Sequence, residues 1–156
     1  MVALHYRLAG RARRLWWRVR RPRTFGVRAI VRDPAGRVAL VRHSYVAGWY
    51  LPGGGVEKGE SSEAAIRREL AEEIALDDVT IERVLGVYHN QAEAKDDHVI
   101  VFVVLADDPA SMRAADPREI VEAKWVEPAA LPDGTSPATR RRIADLCRCT
   151  DGFGAW

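Results

Sequence analysis

Cysteine is scarce in this chain, and its placement excludes a disulfide-stapled fold. Among 156 residues only Cys147 and Cys149 are cysteines, one residue apart. That spacing is poor geometry for a disulfide between them, so they read as free thiols in a reducing cytoplasm. A two-cysteine metal site lacks its other ligands here. No run of 20 apolar residues occurs, so no segment is expected to cross a bilayer as a helix. No apolar stretch follows the basic N-terminus as a secretory signal would require. Repeats and low-complexity tracts are missing too. Acid is missing from residues 1–23, which carry eight arginines. A net charge of +2 for the whole chain therefore becomes −6 for residues 24–156. This splits the chain into a basic, Arg/Trp-rich segment 1–23 and a domain over 24–156.

What is present suffices for one domain with its own core, since 47% of the residues are hydrophobic. Residues 4–20 read as a basic helix stopped by Pro22. Residues 24–32 alternate as a half-buried strand, with Phe25, Val27, Ala29 and Val31 on one side and Arg28 and Ile30 on the other. Asp33-Pro34-Ala35-Gly36 is a turn signal, and 38–43 complete a hairpin. Residues 44–60 form a loop broken by Gly48, Pro52 and three successive glycines. Ser61 or Ser62 caps a helix running to about residue 75. Residues 79–88, 98–105 and 119–126 read as strands. Of these, 98–105 is central, because Val99 to Leu105 is a continuous apolar run. Residues 106–117 are a polar loop, and 137–147 a closing helix. Strands mixed with two or three helices indicate an α/β or α+β sandwich.

The helix after the glycine loop carries Glu69, Glu72 and Glu73, at spacings of three and four. Such positions share one side of a helix, so the three carboxylates repel one another unless a cation neutralises them. Oxygen-only clusters suit hard divalent cations, Mg²⁺ above all, or Mn²⁺. On a wheel of roughly 100° per residue, Ile66, Leu70 and Ile74 form the core stripe. Glu73 lies only about 60° from its centre, at the edge of the core, where an unpaired charge is costly. Gly53, Gly54 and Gly55 let a backbone approach a metal or a phosphate closely.

Gly54, Glu60, Arg68-Glu69-Leu70, Glu72-Glu73, Ala75 and Leu76 stand at fixed spacings over 23 positions. This pattern resembles the signature box of the Nudix hydrolases, with Ala75 where the family has glycine. Gly48-Trp49-Tyr50-Leu51-Pro52-Gly53 is similar to the family's lead-in and Trp125 to its late strand, so residues 24 to 146 fit. The resemblance implies an α/β/α sandwich with a mixed β-sheet between helices. It also implies Mg²⁺-dependent cleavage of a phosphoanhydride in a nucleoside diphosphate derivative by attack of water on phosphorus. The expected metal ligands are Gly53, by its carbonyl, with Glu69, Glu72, Glu73 and Glu119. The expected catalytic set is Arg68, Glu69, Glu72 and Glu73, with Arg68 holding a glutamate in place. The expected substrate-binding set is Arg28, Arg42, Gly54 and Glu60, with Glu60 pairing with Arg68 or supporting the loop. The general base is Glu69, Glu72 or an acid from another loop, the candidates being Glu93, Asp96, Asp97, Glu119 and Glu122. Ala75 either adopts the left-handed cap conformation or lets the helix run on to Asp77.

Trp49, Tyr50 and Tyr88 offer base stacking, with packing under the glycine loop the alternative for Trp49. His43, His89 and His98 lack metal spacing with one another, and His89 near Asp96 is a candidate acid/base pair. Three readings compete for residues 1–23: a helix packed on the domain or on a second copy in a homodimer, a helix lying on an anionic membrane, and an RNA-binding arm. Two rival functions remain: a nucleotide-sensing module without turnover, and an isoprenoid diphosphate isomerase, which would need a cysteine in the cleft.

Overall fold

The computed structural model describes residues 24–91, 97–148 and 152–156. The helix expected over 4–20 therefore lies outside the described residues. Alternating apolar segments form strands β1 (Thr24–Arg32), β2 (Val38–His43), β3 (Val79–Asn90), β4 (Asp97–Ala106), β5 (Ile120–Val126) and β6 (Phe153–Ala155). Helices α1 (Ser62–Ile74) and α2 (Pro137–Arg148) interrupt them, with a short 3₁₀ turn at Pro109–Ser111. The strands make one mixed sheet in the order β5-β2-β1-β4-β3-β6. β1 runs parallel to β4, and β3 antiparallel to β4.

Each face of the sheet has a core. On one, Ala65, Ile66, Leu70 and Ile74 of α1 pack on Val27, Ala29, Val31, Val41 and Val104. On the other, Ile143 and Leu146 of α2 pack near Ile30, Leu40, Trp49, Val101 and Val103. The fold is thus the α/β/α sandwich expected. The half-buried reading of β1 needs one correction. Ile30, on its second face, is fully buried because α2 covers that face, whereas Phe25 is 53% exposed. The central position read for the apolar run of β4 holds, since it sits between β1 and β3. β6 was not legible: three residues carry too little alternation to signal a strand.

Between β1 and β2 the sheet is opened by the glycine loop. β1 and β2 pair only at Arg32 and Val38. Beyond that point the segment from Tyr50 to Gly55 enters between them. Val41 and Tyr50 exchange both backbone hydrogen bonds, while Val27 and Ala29 N–H donate to the Gly54 and Pro52 carbonyls. Gly53 has φ +133°, and a Cβ there would stand 2.2 Å from the Val27 carbonyl oxygen. Only glycine fits a wedge this tight.

Ser61 caps α1 by accepting from the Ala64 N–H. At the other end Ala75 is left-handed, with φ 56° and ψ 33°. The helix therefore stops at Ile74 and does not run on to Asp77. The Leu76 N–H donates to the Leu70 carbonyl, closing a Schellman-type cap, and Leu76 is buried. That apolar anchor offsets the strain of a Cβ in the left-handed region. Ala75→Gly relieves the strain and concedes some unfolded-state entropy. It is expected to stabilise the protein by about 0.5–1 kcal/mol, read as a higher urea midpoint at unchanged slope.

Candidate active site

The wheel position of Glu73 has the predicted consequence: the residue is 4% exposed. Its Oε2 accepts the Gly53 N–H at 2.7 Å, which ties α1 to the wedged loop. Burial pushes its pKa up to about 7, against the opposing pull of the Gly53 N–H and the Arg28 charge. Glu69 and Glu119 add to the upward push. Glu69 lies against the same loop, since a Cβ on Gly54 would meet its Oε1 at 2.3 Å. Adjacent glycines thus lie against two different carboxylates of one helix.

Arg68 organises the remaining acids. Its Nε and Nη2 grip both oxygens of Glu60 at 2.9 and 3.0 Å. Its Nη1 donates to Glu69 at 2.8 Å and Glu72 at 3.1 Å, and Nη2 also reaches the Gly55 carbonyl at 3.0 Å. These bonds hold the guanidinium pKa above its usual value, Glu60 first among them. Glu60 in turn titrates below the usual carboxylate range because of Arg68 and the Glu57 N–H. The expected Glu60–Arg68 pair is therefore present. Glu72 remains largely open to solvent, with 61% of its side chain exposed.

Glu119 comes to this place from the segment before β5, its carbonyl accepting the Ser44 N–H at 2.8 Å. Single ligand atoms of His43, Glu73 and Glu119 all lie within 4.8 Å of one another. His43 had been set aside for want of partner histidines, yet its partners are carboxylates. The usable signal was alternation along β2, since Ala39 and Val41 share the α1 face with it. Burial lowers the His43 pKa, and the Arg28 charge lowers it further.

Arg28 leaves β1 beside the glycine loop. It lines a cleft of about 260 Å³ with Phe25, Gly54, Gly55, Asp97 and Trp156. Its Nη1 is buried without a hydrogen-bond partner. Arg42 is not brought to the carboxylates. It lies on the other face of β2, paired with Glu122 at 2.9 Å and set over the Trp49 ring. Trp49 is buried in the core on the α2 face with Lys124 over its ring, while Tyr88 is buried against Arg142, which takes both out of any stacking role. Tyr50 donates to the Ala47 carbonyl. His89 stacks on His98 at 4.9 Å, and Asp97 accepts from Thr24. Glu93 and Asp96 lie outside the described residues. Cys147 is exposed on α2, away from the glycine loop, so it gives no support to the isomerase reading.

Similarity to known proteins extends over most of the chain. The family model described as NUDIX domain matches residues 22–147. A Bacillus subtilis (strain 168) protein named "Putative 8-oxo-dGTP diphosphatase" is 34% identical over 123 residues, covering 79% of each chain. A Mycobacterium tuberculosis protein named "Putative 8-oxo-dGTP diphosphatase 2" is 38% identical over 132 residues, covering 81% of this chain and 89% of that one. The structure of a MutT protein from Methanosarcina mazei Go1 superposes with a TM-score of 0.70 at 24% identity, covering 82% of this chain and 95% of that one, a likeness of fold.

The raised pKa of Glu73 has a signed consequence for metal-free protein. Its folded value of about 7 exceeds the ordinary 4.5. The folded state thus binds this proton more tightly, and the benefit is present in full below pH 4.5 and lost as pH rises through 7. The loss is worth about 3 kcal/mol. In EDTA, Glu73→Gln should match the parent near pH 4 and exceed it in urea stability by about that amount at pH 8. Coincident curves at pH 8 would mean that the charge of Glu73 carries no burial cost.

Proposed function

The chain belongs to the Nudix hydrolase family, and from that premise we propose that it hydrolyses a phosphoanhydride bond of a nucleotide with the help of Mg²⁺. The observation that carries this reading is the pair of carboxylates, Glu69 and Glu73, seated on adjacent glycines of a loop wedged into the sheet. The donor set fits the ion. Glu73 is a buried carboxylate held by one backbone N–H, and hard oxygen donors of this kind suit Mg²⁺, with Mn²⁺ as a substitute. Glu69, Glu72, Glu73 and Glu119 are the side chains that would hold it, together with the Gly53 carbonyl that the family resemblance implies. When bound, the cation neutralises phosphate charge and makes a water a stronger nucleophile at neutral pH.

The chain's own residues supply the rest. Arg68 stays charged throughout the accessible pH range and fixes Glu69 and Glu72 in direction. In this reading Glu69, Glu72 or an acid from another loop takes the proton of the attacking water. Arg28 offers a buried, unpartnered Nη1 beside Gly54 and Gly55, a fit for a phosphate oxygen. The cleft that it lines is of a size for a nucleoside, with the Phe25 and Trp156 rings at its walls. The relatives' names make 8-oxo-dGTP the first substrate to test, and a nucleoside diphosphate derivative the next.

The test is product mass spectrometry on 8-oxo-dGTP, dGTP, ADP-ribose and nucleotide sugars, with Mg²⁺ and with EDTA. Metal-dependent release of pyrophosphate or of a nucleoside monophosphate is expected. Glu69→Gln and Glu72→Gln should each lower kcat by about 100-fold or more. Absence of any metal-dependent product, or turnover indifferent to both substitutions, would sink the reading.

A further inference from the structure

His43 has no assigned purpose in the chemistry above, yet its setting is unusual. It ends β2, after a register shift between Arg42 and His43. Its side chain is 5% exposed, and its Nδ1 is buried with no hydrogen-bond partner. Orphaned buried nitrogens are uncommon, because desolvating a polar atom without replacing its water costs free energy. The nearest carboxylate oxygen, Glu73 Oε1, stands 4.0 Å away. That is too long for a hydrogen bond. It also falls within the span of about 3.0 to 4.2 Å that two ligands can keep on one cation when each is roughly 2.1 Å from it. The other Glu73 oxygen is engaged by Gly53, so Oε1 is the one turned to this space. Glu119 brings a third donor within 4.8 Å of both. The Tyr45 and Tyr50 rings flank the imidazole at 5.0 and 5.8 Å.

We propose that His43 Nδ1, Glu73 and Glu119 form a mixed nitrogen–oxygen cation site that takes Mn²⁺ or a later first-row divalent ion in preference to Mg²⁺. The proposal rests on the reading that this cleft works with a divalent cation, and it adds which ion and through which nitrogen. An imidazole nitrogen favours first-row transition ions, whereas carboxylate and carbonyl oxygens alone suit Mg²⁺. Glu73 and Glu119 then belong to two donor sets, one with Glu69 and Glu72 and the other with His43.

Direct spectroscopy separates this proposal from the hydrolase reading. The full-length protein is loaded with Mn²⁺ alone and its electron spin-echo modulation recorded, without substrate. Modulation from a directly bound ¹⁴N is expected, changing to the ¹⁵N pattern when histidine is ¹⁵N-labelled. His43→Gln and His43→Ala should abolish it and weaken Mn²⁺ binding by about tenfold or more, with Mg²⁺ binding little changed. Glu119→Gln should weaken Mn²⁺ binding likewise. Should a variant misfold, the isotope label on the unmutated protein still decides. Bound Mn²⁺ without nitrogen modulation, modulation surviving in His43→Gln, or no Mn²⁺ bound at millimolar concentration would each overturn the proposal. Turnover with Mg²⁺ alongside absent nitrogen modulation would leave the hydrolase standing and this site refuted. Nitrogen modulation without turnover on any nucleotide would do the reverse.

Discussion

The hydrogen bond from Gly53 N–H to the buried Glu73 carboxylate is the contact on which the site depends. It joins a loop that has been threaded into the sheet to a helix that lies across it. An isolated carboxylate in that position would be expensive, so one backbone donor and the nearby Arg28 charge are only part of its compensation. The protein thus holds an acid in a place where its charge is under strain. Burial is the largest part of that cost and the neighbouring Glu69 and Glu119 charges add to it, so a bound cation would offset it.

Opening the sheet is the second constraint. β1 and β2 are sequence neighbours joined by a tight turn, in which Arg37 N–H and Nε bond to the Asp33 carboxylate. They would ordinarily pair along their length. Instead they diverge, and the loop satisfies the backbone groups that they would have shared. The glycine requirement at Gly53 follows from this crowding and not from flexibility. A rigid loop is what a phosphate site needs, since donors and carboxylates must already stand in place when charge develops.

Arg68 supplies the third element, a fixed cation among acids. It neutralises Glu60, Glu69 and Glu72 in part, and it aims the latter two. Glu73 stands outside that network and takes its compensation elsewhere. The helix therefore presents two kinds of carboxylate, arginine-held and buried, on a single turn and a half. Different environments for chemically identical groups are how one site separates structural from chemical duties.

Much of this was legible in the chain. The spacing of Glu69, Glu72 and Glu73 and the position of Glu73 beside the Ile66–Leu70–Ile74 stripe follow from helical periodicity. The burial of Glu73 in the structure is the same statement in three dimensions. The apolar run of β4 likewise announced its central place, and the Ser61-Ser62 pair the capped start of α1, with Ser61 the cap. Periodicity is local physics, so sequence determines it. What tertiary structure decided were relations between distant segments. Which face of β2 looks at α1 separates His43 from its neighbour Arg42, sending one to Glu73 and the other to Glu122. Whether Ala75 takes the left-handed cap depended on the buried seat for Leu76. That the glycine loop enters the sheet between β1 and β2 depended on backbone pairing with both. Such choices rest on burial and hydrogen bonds contributed by chain far away in sequence, where no short-range pattern can record them.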